Sequence, residues 1–266
     1  MQMDKILIKA CQNGQKGIVE SFLKRNNMNI NHVDNDGYAA LHYACAKGTR
    51  DIVKMLIAHG ADVSLASNKG VTPLHLAAKT GSKEIIKMLV DEGADINVTD
   101  DSGESVIIYG IKSGRTDAVR FMKELGADVT LADNEGRTAV DHANIKGMAG
   151  MIENVLDGAE IHADSFGNTP LHQSCYNGHS EAVKAMLRNQ DIEVDVKNDA
   201  GETPLICAIK SKGVQKGSVD IVELLLEYNA DVDCTDIWGN SALYYATECG
   251  SNAIIEMLLE AGVANE

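Results

Sequence analysis

Apolar residues recur along this chain in short bursts at helical spacing, each closed by a glycine. The clearest burst is Ile85, Ile86, Met88, Leu89 and Val90, which stops at Gly93. Residues three and four apart share a helix face, so the burst predicts a short helix with one buried stripe. A glycine just past its end predicts a left-handed stop. Ahead of it, Thr72-Pro73-Leu74-His75-Leu76-Ala77-Ala78 predicts the start of another helix. Threonine there accepts from amides left open in the first turn, and proline at the first helical position gives up a donor that has no partner anyway. The same start returns at Thr169-Pro170-Leu171-His172, and all three prolines, Pro73, Pro170 and Pro204, share its slot. Between helix pairs, Ala94 to Gly103 is rich in Asp and Asn and reverses at Asp-x-x-Gly, as a hairpin connection does.

The glycines show that this pattern repeats. One column is Gly37, Gly70, Gly103, Gly136, Gly167, Gly201 and Gly239, at successive spacings of 33, 33, 33, 31, 34 and 38. A second is Gly14, Gly48, Gly81, Gly114, Gly147, Gly178, Gly217 and Gly250, and a third is Gly60, Gly93, Gly126, Gly158 and Gly262. A 33-residue period carrying Thr-Pro-Leu-His-x-Ala and a Gly-Ala-Asp-x-Asn ending (Gly93 to Asn97) resembles the ankyrin repeat family over nearly the whole chain. The resemblance implies an all-α repeat fold: an α-solenoid of helix-turn-helix units with projecting β-hairpin fingers, stabilised by each unit and its neighbours. Read this way, the chain is one domain, 1–266. A cap spans 1–35, and repeats span about 36–68, 69–101, 102–134, 135–165, 166–199, 200–237 and 238–266.

Departures from the period locate irregular joints. Ser105-Val106-Ile107-Ile108 and Thr138-Ala139-Val140-Asp141 replace Thr-Pro-Leu-His, and the fifth unit is two residues short, so a bend or weak joint is expected near Asp157 to Phe166. The seventh unit carries five extra residues within 211–216, as a tolerated surface insertion or a functional loop. Ala253 to Leu259 is apolar where a terminal repeat should be polar outside. Either a further segment follows or this end packs on another molecule, so monomer and weak self-association are both expected.

Composition narrows the function classes. Of 266 residues, 24 are Lys or Arg and 39 are Asp or Glu, a net charge of −15. Residues 1–136 hold 16 basic and 18 acidic side chains, a net of −2, whereas residues 137–266 hold 8 and 21, a net of −13. An acidic chain offers no positive surface to displace counterions from phosphates, which argues against nucleic acid. No stretch approaches the roughly 18 apolar residues of a spanning helix, which argues against membrane insertion. The six cysteines contain no C-x-x-C pair, and no secretory leader is evident, so a reducing cytoplasmic or nuclear compartment is expected.

Phosphate-loop, dinucleotide, zinc-protease and nucleophile-elbow motifs are absent, so neither catalysis nor a cofactor is expected. Asp34-Asn35-Asp36-Gly37 imitates part of a calcium loop, but His32 and Tyr43 would fill its first and twelfth positions and supply no suitable oxygen ligands. The resemblance assigns His42, His75 and His172 to bridging neighbouring units. Cys45 and Cys175 share the slot of Ala78 and read as small core side chains. Leu89, Asp95 and Asn97 match the spacing that similar proteins offer to asparaginyl hydroxylases, which makes Asn97 a candidate modification site.

The resemblance also implies where a partner binds: on the fingers and the ends of the first helices. Carried over by position, that surface includes Tyr38, Lys47, Lys69, Lys79, Lys112, Arg137, Lys146, Phe166, Tyr176, Glu202, Ile237, Trp238 and Glu248. Lys47, Lys79, Lys112 and Lys146 read as a basic column, and Phe166, Tyr176, Ile237 and Trp238 as apolar anchors beyond it. The expected function is a non-catalytic interaction module that binds a partner protein, one with a basic patch facing the acidic half. Alternatives are an assembly chaperone, an inhibitor of a basic protein, or the regulatory domain of a larger enzyme.

Overall fold

Short helices with glycine stops can bury one face only by stacking on their neighbours, and the computed structural model is built that way. It describes residues 2–25, 28–156, 163–164, 166–188, 192–211 and 216–264. The chain divides into two compact units, Met1–Ala139 and Val140–Glu266.

In the first unit the pairs are α1 (Gln2–Asn13) with α2 (Lys16–Leu23), α3 (Ala40–Lys47) with α4 (Arg50–Ala58), α5 (Pro73–Thr80) with α6 (Lys83–Asp91), and α7 (Val106–Lys112) with α8 (Thr116–Glu124). First helices stack on first helices, α1 on α3 on α5 on α7, and second helices stack likewise. The apolar bursts supply the core. Leu41, Leu74 and Ile107 hold the same slot of successive first helices, while Ile52, Ile85 and Ala118 do so in the second helices; all six are buried.

The second unit contains α9 (Ala139–Ile145), which starts at the boundary, α10 (Ala149–Leu156), α11 (Pro170–Asn177), α12 (Ser180–Leu187), α13 (Pro204–Lys210), α14 (Lys216–Glu227), α15 (Ala242–Glu248) and α16 (Asn252–Ala264). Here α11 stacks on α13 and α13 on α15, with α12, α14 and α16 behind them. Where Ala78 and Cys45 pack elsewhere, this unit has a polar lock: Asn144 donates through Nδ2 to the Pro170 carbonyl (2.8 Å) and accepts from the Ser174 hydroxyl. Both side chains are fully buried, so neither can be satisfied by water.

Several expectations need correction. The fingers are not hairpin ladders. Among the described residues they are tight turns closed at most by single antiparallel bridges, Val33 to Ala39, Thr99 to Ser105 and Thr235 to Ser241. Gly217 and Gly262 lie inside α14 and α16 rather than in turns. Conversely, Asn229 takes the third-column glycine position with φ +61°, which Asn tolerates better than most residues because its short amide can bond locally. Thr72 and Thr169 do not cap through their hydroxyls, which lie 3.0 and 2.9 Å from His75 and His172 Nδ1. Thr203 and Ser241, with no histidine to serve them, do cap, accepting from the Ile206 and Tyr244 amides. The proposed joint at 157–166 and the insert at 211–216 fall largely outside the described residues. No described helix is long and apolar enough to cross a membrane.

Candidate functional site

Each finger is organised by one side chain at the head of its turn. Asp34 Oδ1 accepts from the backbone amides of Asp36 and Tyr38, both at 3.0 Å. Asp100, Asp133, Asp164, Asn198 and Asp236 make the same pair of bonds in their own turns. An Asx side chain that satisfies two turn amides replaces water and fixes the loop. Fingers are then tied together by backbone bonds: Asn68 N–H to the Asp36 carbonyl, Asp101 to Lys69 and Asn134 to Ser102 in the first unit, and Asp199 to Phe166 and Ile237 to Ala200 in the second, at 2.9–3.1 Å.

A second contact recurs that the spacing analysis missed. Tyr43, Tyr109 and Tyr245 donate their hydroxyls to the outer oxygens of Asp34, Asp100 and Asp236 at 2.5, 2.8 and 2.5 Å, always nine residues back. The visible signal was a tyrosine in the fifth position from each helix cap. Burial alone would raise the pKa of Asp34 and Asp236, but the tyrosine hydroxyl and the turn amides outweigh it and hold both carboxyls below the usual value.

The repeat histidines bridge units as expected. His42, His75 and His172 Nδ1 accept the backbone amide at the helix cap, each at 3.1 Å. That leaves Nε2 as the protonated nitrogen, which donates to the carbonyls of Val71, Glu104 and Glu202 at 3.1, 3.2 and 3.0 Å. Burial lowers the pKa of all three despite these carbonyls. A histidine kept neutral by the fold contributes stability that is complete above its unfolded pKa of about 6.5 and is lost as pH falls from there through the lowered folded value. Urea unfolding should therefore be level from pH 8 to 7.5 and decline below about pH 6.5, well above the carboxylate range. An unfolding midpoint that stays constant between pH 7 and 5 would contradict this.

The predicted partner residues differ in exposure and in their contacts. Phe166, Ile237 and Trp238 stand out at 70%, 64% and 66% exposure, and Tyr176 is also exposed. Tyr244, in the first turn of α15, joins them, and sequence reasoning missed it. Lys47, Lys69, Lys79 and Lys146 are exposed. Lys79 and Lys112 stand two residues before their column glycine, whereas Lys47 and Lys146 stand one before. They therefore occupy two slots about 100° apart on a helix rather than one column. Lys112 is bound by Glu104 at 2.6 Å, and Arg137 by Asp133 at 2.9 Å and Glu135 at 2.7 Å. Tyr38 is half-buried, edge-on to His42 at 5.1 Å. Glu202 is not the free acid the charge pattern implied, because Lys210 neutralises it while lying 4.7 Å over the Tyr245 ring. Glu248 is exposed. Asn97 is occupied in stacking: its Oδ1 accepts from Asp128 N–H at 2.7 Å and its Nδ2 donates to the Gly126 carbonyl at 3.4 Å.

Stacked helix pairs, bridging histidines and Asx-locked fingers define a helical repeat protein that displays side chains on rigid turns. The family model "Ankyrin repeats (3 copies)" matches residues 7–100, 59–133, 142–236 and 213–266. The chain belongs to the ankyrin repeat family, whose repeats are generally protein–protein interaction modules. Among its relatives is YahD of Escherichia coli K12, named as an ankyrin repeat protein, 37% identical over 99 residues, which are 36% of this chain and 48% of YahD. An ankyrin repeat-containing protein of Schizosaccharomyces pombe is 30% identical over 97 residues, 36% of this chain and 41% of that protein. The rat nuclear factor NF-kappa-B p105 subunit is 33% identical over 103 residues, 36% of this chain and 10% of the subunit. The chain thus aligns with less than half the length of each of these relatives.

Proposed function

We propose that this chain is a non-catalytic binding module whose second unit docks a partner protein on its fingers. The observation that carries the reading is the exposure of Phe166, Ile237 and Trp238 at finger tips. Large apolar groups at a turn have no core to enter, and aromatic anchors dominate interface energetics. The turns that hold them are pre-bonded through Asp164 and Asp236, so docking would cost little loop ordering. The unit from Val140 onward holds 7 basic and 21 acidic side chains, which favours a partner with a basic patch and faster association at low salt.

The test begins with a partner retrieved from the source cell by the immobilised chain and continues with measured affinities. Phe166→Ala with Trp238→Ala should weaken binding by about 30-fold or more, given the usual cost of truncating an interface anchor, with unfolding unchanged. Affinity equal to that of the unaltered chain would refute the finger assignment. Lys69→Ala, in the first unit, should leave binding within about twofold.

A further inference from the structure

Three of the five finger-head aspartates receive a tyrosine hydroxyl; of the other two, Asp133 is paired with Arg137 and Asp164 stands apart. At the slot of Tyr43, Tyr109 and Tyr245 the second unit carries Gln173 in α11 and Cys207 in α13. Among the described residues, Asp164 Oδ2 therefore meets only two long amide bonds, from Asn168 Nδ2 and Gln173 Nε2, both at 3.3 Å. One unit along, Glu202 Oε2 meets, among the described residues, only Asn198 Nδ2 at 3.4 Å and the Cys207 thiol at 3.6 Å. Where the tyrosine rings would stand there is a surface cavity of about 320 Å³, lined by Asp164, Gln173, Tyr176, Asn177, Glu202 and Cys207 among others. Lys210 neutralises Glu202 through Oε1 and is drawn onto the Tyr245 ring. Among the described residues Asp164 has no cationic partner.

We infer that this cavity receives an arginine side chain from the partner protein, an inference that rests on the binding-module reading and names the chemistry its partner must bring. The cavity offers what a guanidinium needs. An underbonded carboxylate oxygen can accept charge-assisted hydrogen bonds, amide oxygens can take the remaining donors, and the exposed Tyr176 ring lies at the rim for a planar cation to stack on. A neutral apolar side chain would leave those acceptors desolvated without donors, at a cost in affinity. Phe166 stands two residues from Asp164 and donates its backbone amide to Asp164 Oδ1 at 2.9 Å, so one docked segment can reach both the finger and the cavity.

The probe is butylguanidinium, titrated into the full chain and followed by the side-chain amide signals of Gln173 and Asn168 in 1H–15N spectra. Saturable shifts are expected with a dissociation constant of about 1 mM, fitting for a ligand of so few atoms. Neutral butylurea, of the same shape, should bind at least tenfold more weakly. Asp164→Asn removes the charge yet keeps the oxygen that holds the finger turn, as Asn198 does in the next unit, and should weaken the probe at least fivefold. Gln173→Tyr should fill the cavity and abolish the shift still readable at Asn168, with the fold retained because three repeats already carry tyrosine there. No saturable shift, equal binding of butylurea, or undiminished binding to Asp164→Asn would each overturn the inference. Trp238→Ala should leave the probe's affinity unchanged while weakening the partner, so failure of the cavity and failure of the finger reading give different results.

Discussion

Replacing His75 with alanine should lower the free energy of unfolding by about 3 kcal/mol, the sum of an orphaned buried donor and a cavity. His75 is fully buried. Its Nδ1 accepts the Thr72 amide, its Nε2 donates to the Glu104 carbonyl of the next unit, and its ring meets Tyr109 edge-on at 4.8 Å. Alanine strands the Thr72 amide in the interior and disconnects α5 from the finger that follows. In a stack of repeats the loss falls on a nearest-neighbour interface, so amide exchange should accelerate first in α5 and α7. His75→Asn restores an acceptor near the cap but does not reach Glu104, and should recover roughly half of the loss. A cost below about 1 kcal/mol for His75→Ala would mean that the bridge is incidental and that apolar stacking of Leu74 and Ile107 holds the interface.

Local rules were readable wherever a residue acts on its own backbone. Glycine at a left-handed turn, proline at a first helical position and apolar spacing along α6 depend on near neighbours in sequence, and each placed its element. What the sequence did not disclose depends on side chains meeting across the period. Lys112 and Glu202 looked available for a partner, but Glu104 and Lys210 lie eight residues away from them across a turn, a contact with no helical or strand spacing to announce it. The tyrosine-to-aspartate bonds, nine residues long, were hidden for the same reason. The cavity at Gln173 and Cys207 could be noticed only after those tyrosines were seen to fill the equivalent space. The histidine-for-hydroxyl exchange at the caps was likewise invisible, since Thr before Pro is a good cap in isolation. The imidazole three residues on takes the cap residue's own amide and draws the threonine hydroxyl to its Nδ1.

These contacts bear on function through rigidity. A finger that is bonded within itself by an Asx side chain and to its neighbour by a backbone bond has few ways to relax, so it presents its tip residues in one arrangement. That preorganisation is what lets a few exposed groups, Phe166 and Trp238 among them, serve as anchors without a large ordering cost. The acidic excess of the second unit is largely reachable, with Glu181, Asp199, Glu223, Asp231 and Glu248 among its exposed carboxylates, so charge steers a partner while the fixed fingers select it.

Rigidity of this kind should make the fingers intolerant of a single methyl group. Gly70→Ala is expected to cost about 3 kcal/mol, and Gly48→Ala only about 1 kcal/mol, although both glycines are left-handed, at φ +73° and +71°. The conformational penalty is common to both. The difference is space: a Cβ on Gly70 would lie 2.6 Å from Asp101 Oδ1 and 2.7 Å from its backbone nitrogen, whereas a Cβ on Gly48 meets nothing within 4 Å. The clash at Gly70 is with backbone, so it cannot be relieved by a rotamer change. It must instead push apart two fingers joined by the Asp101-to-Lys69 bond of 3.1 Å. Urea unfolding of the two variants, with exchange of the Asp101 amide, separates the terms. Exchange at Asp101 should accelerate in Gly70→Ala and not in Gly48→Ala. Equal destabilisation of the two would show that the left-handed turn alone requires glycine, and that the close approach of successive fingers contributes nothing to holding the binding face in register.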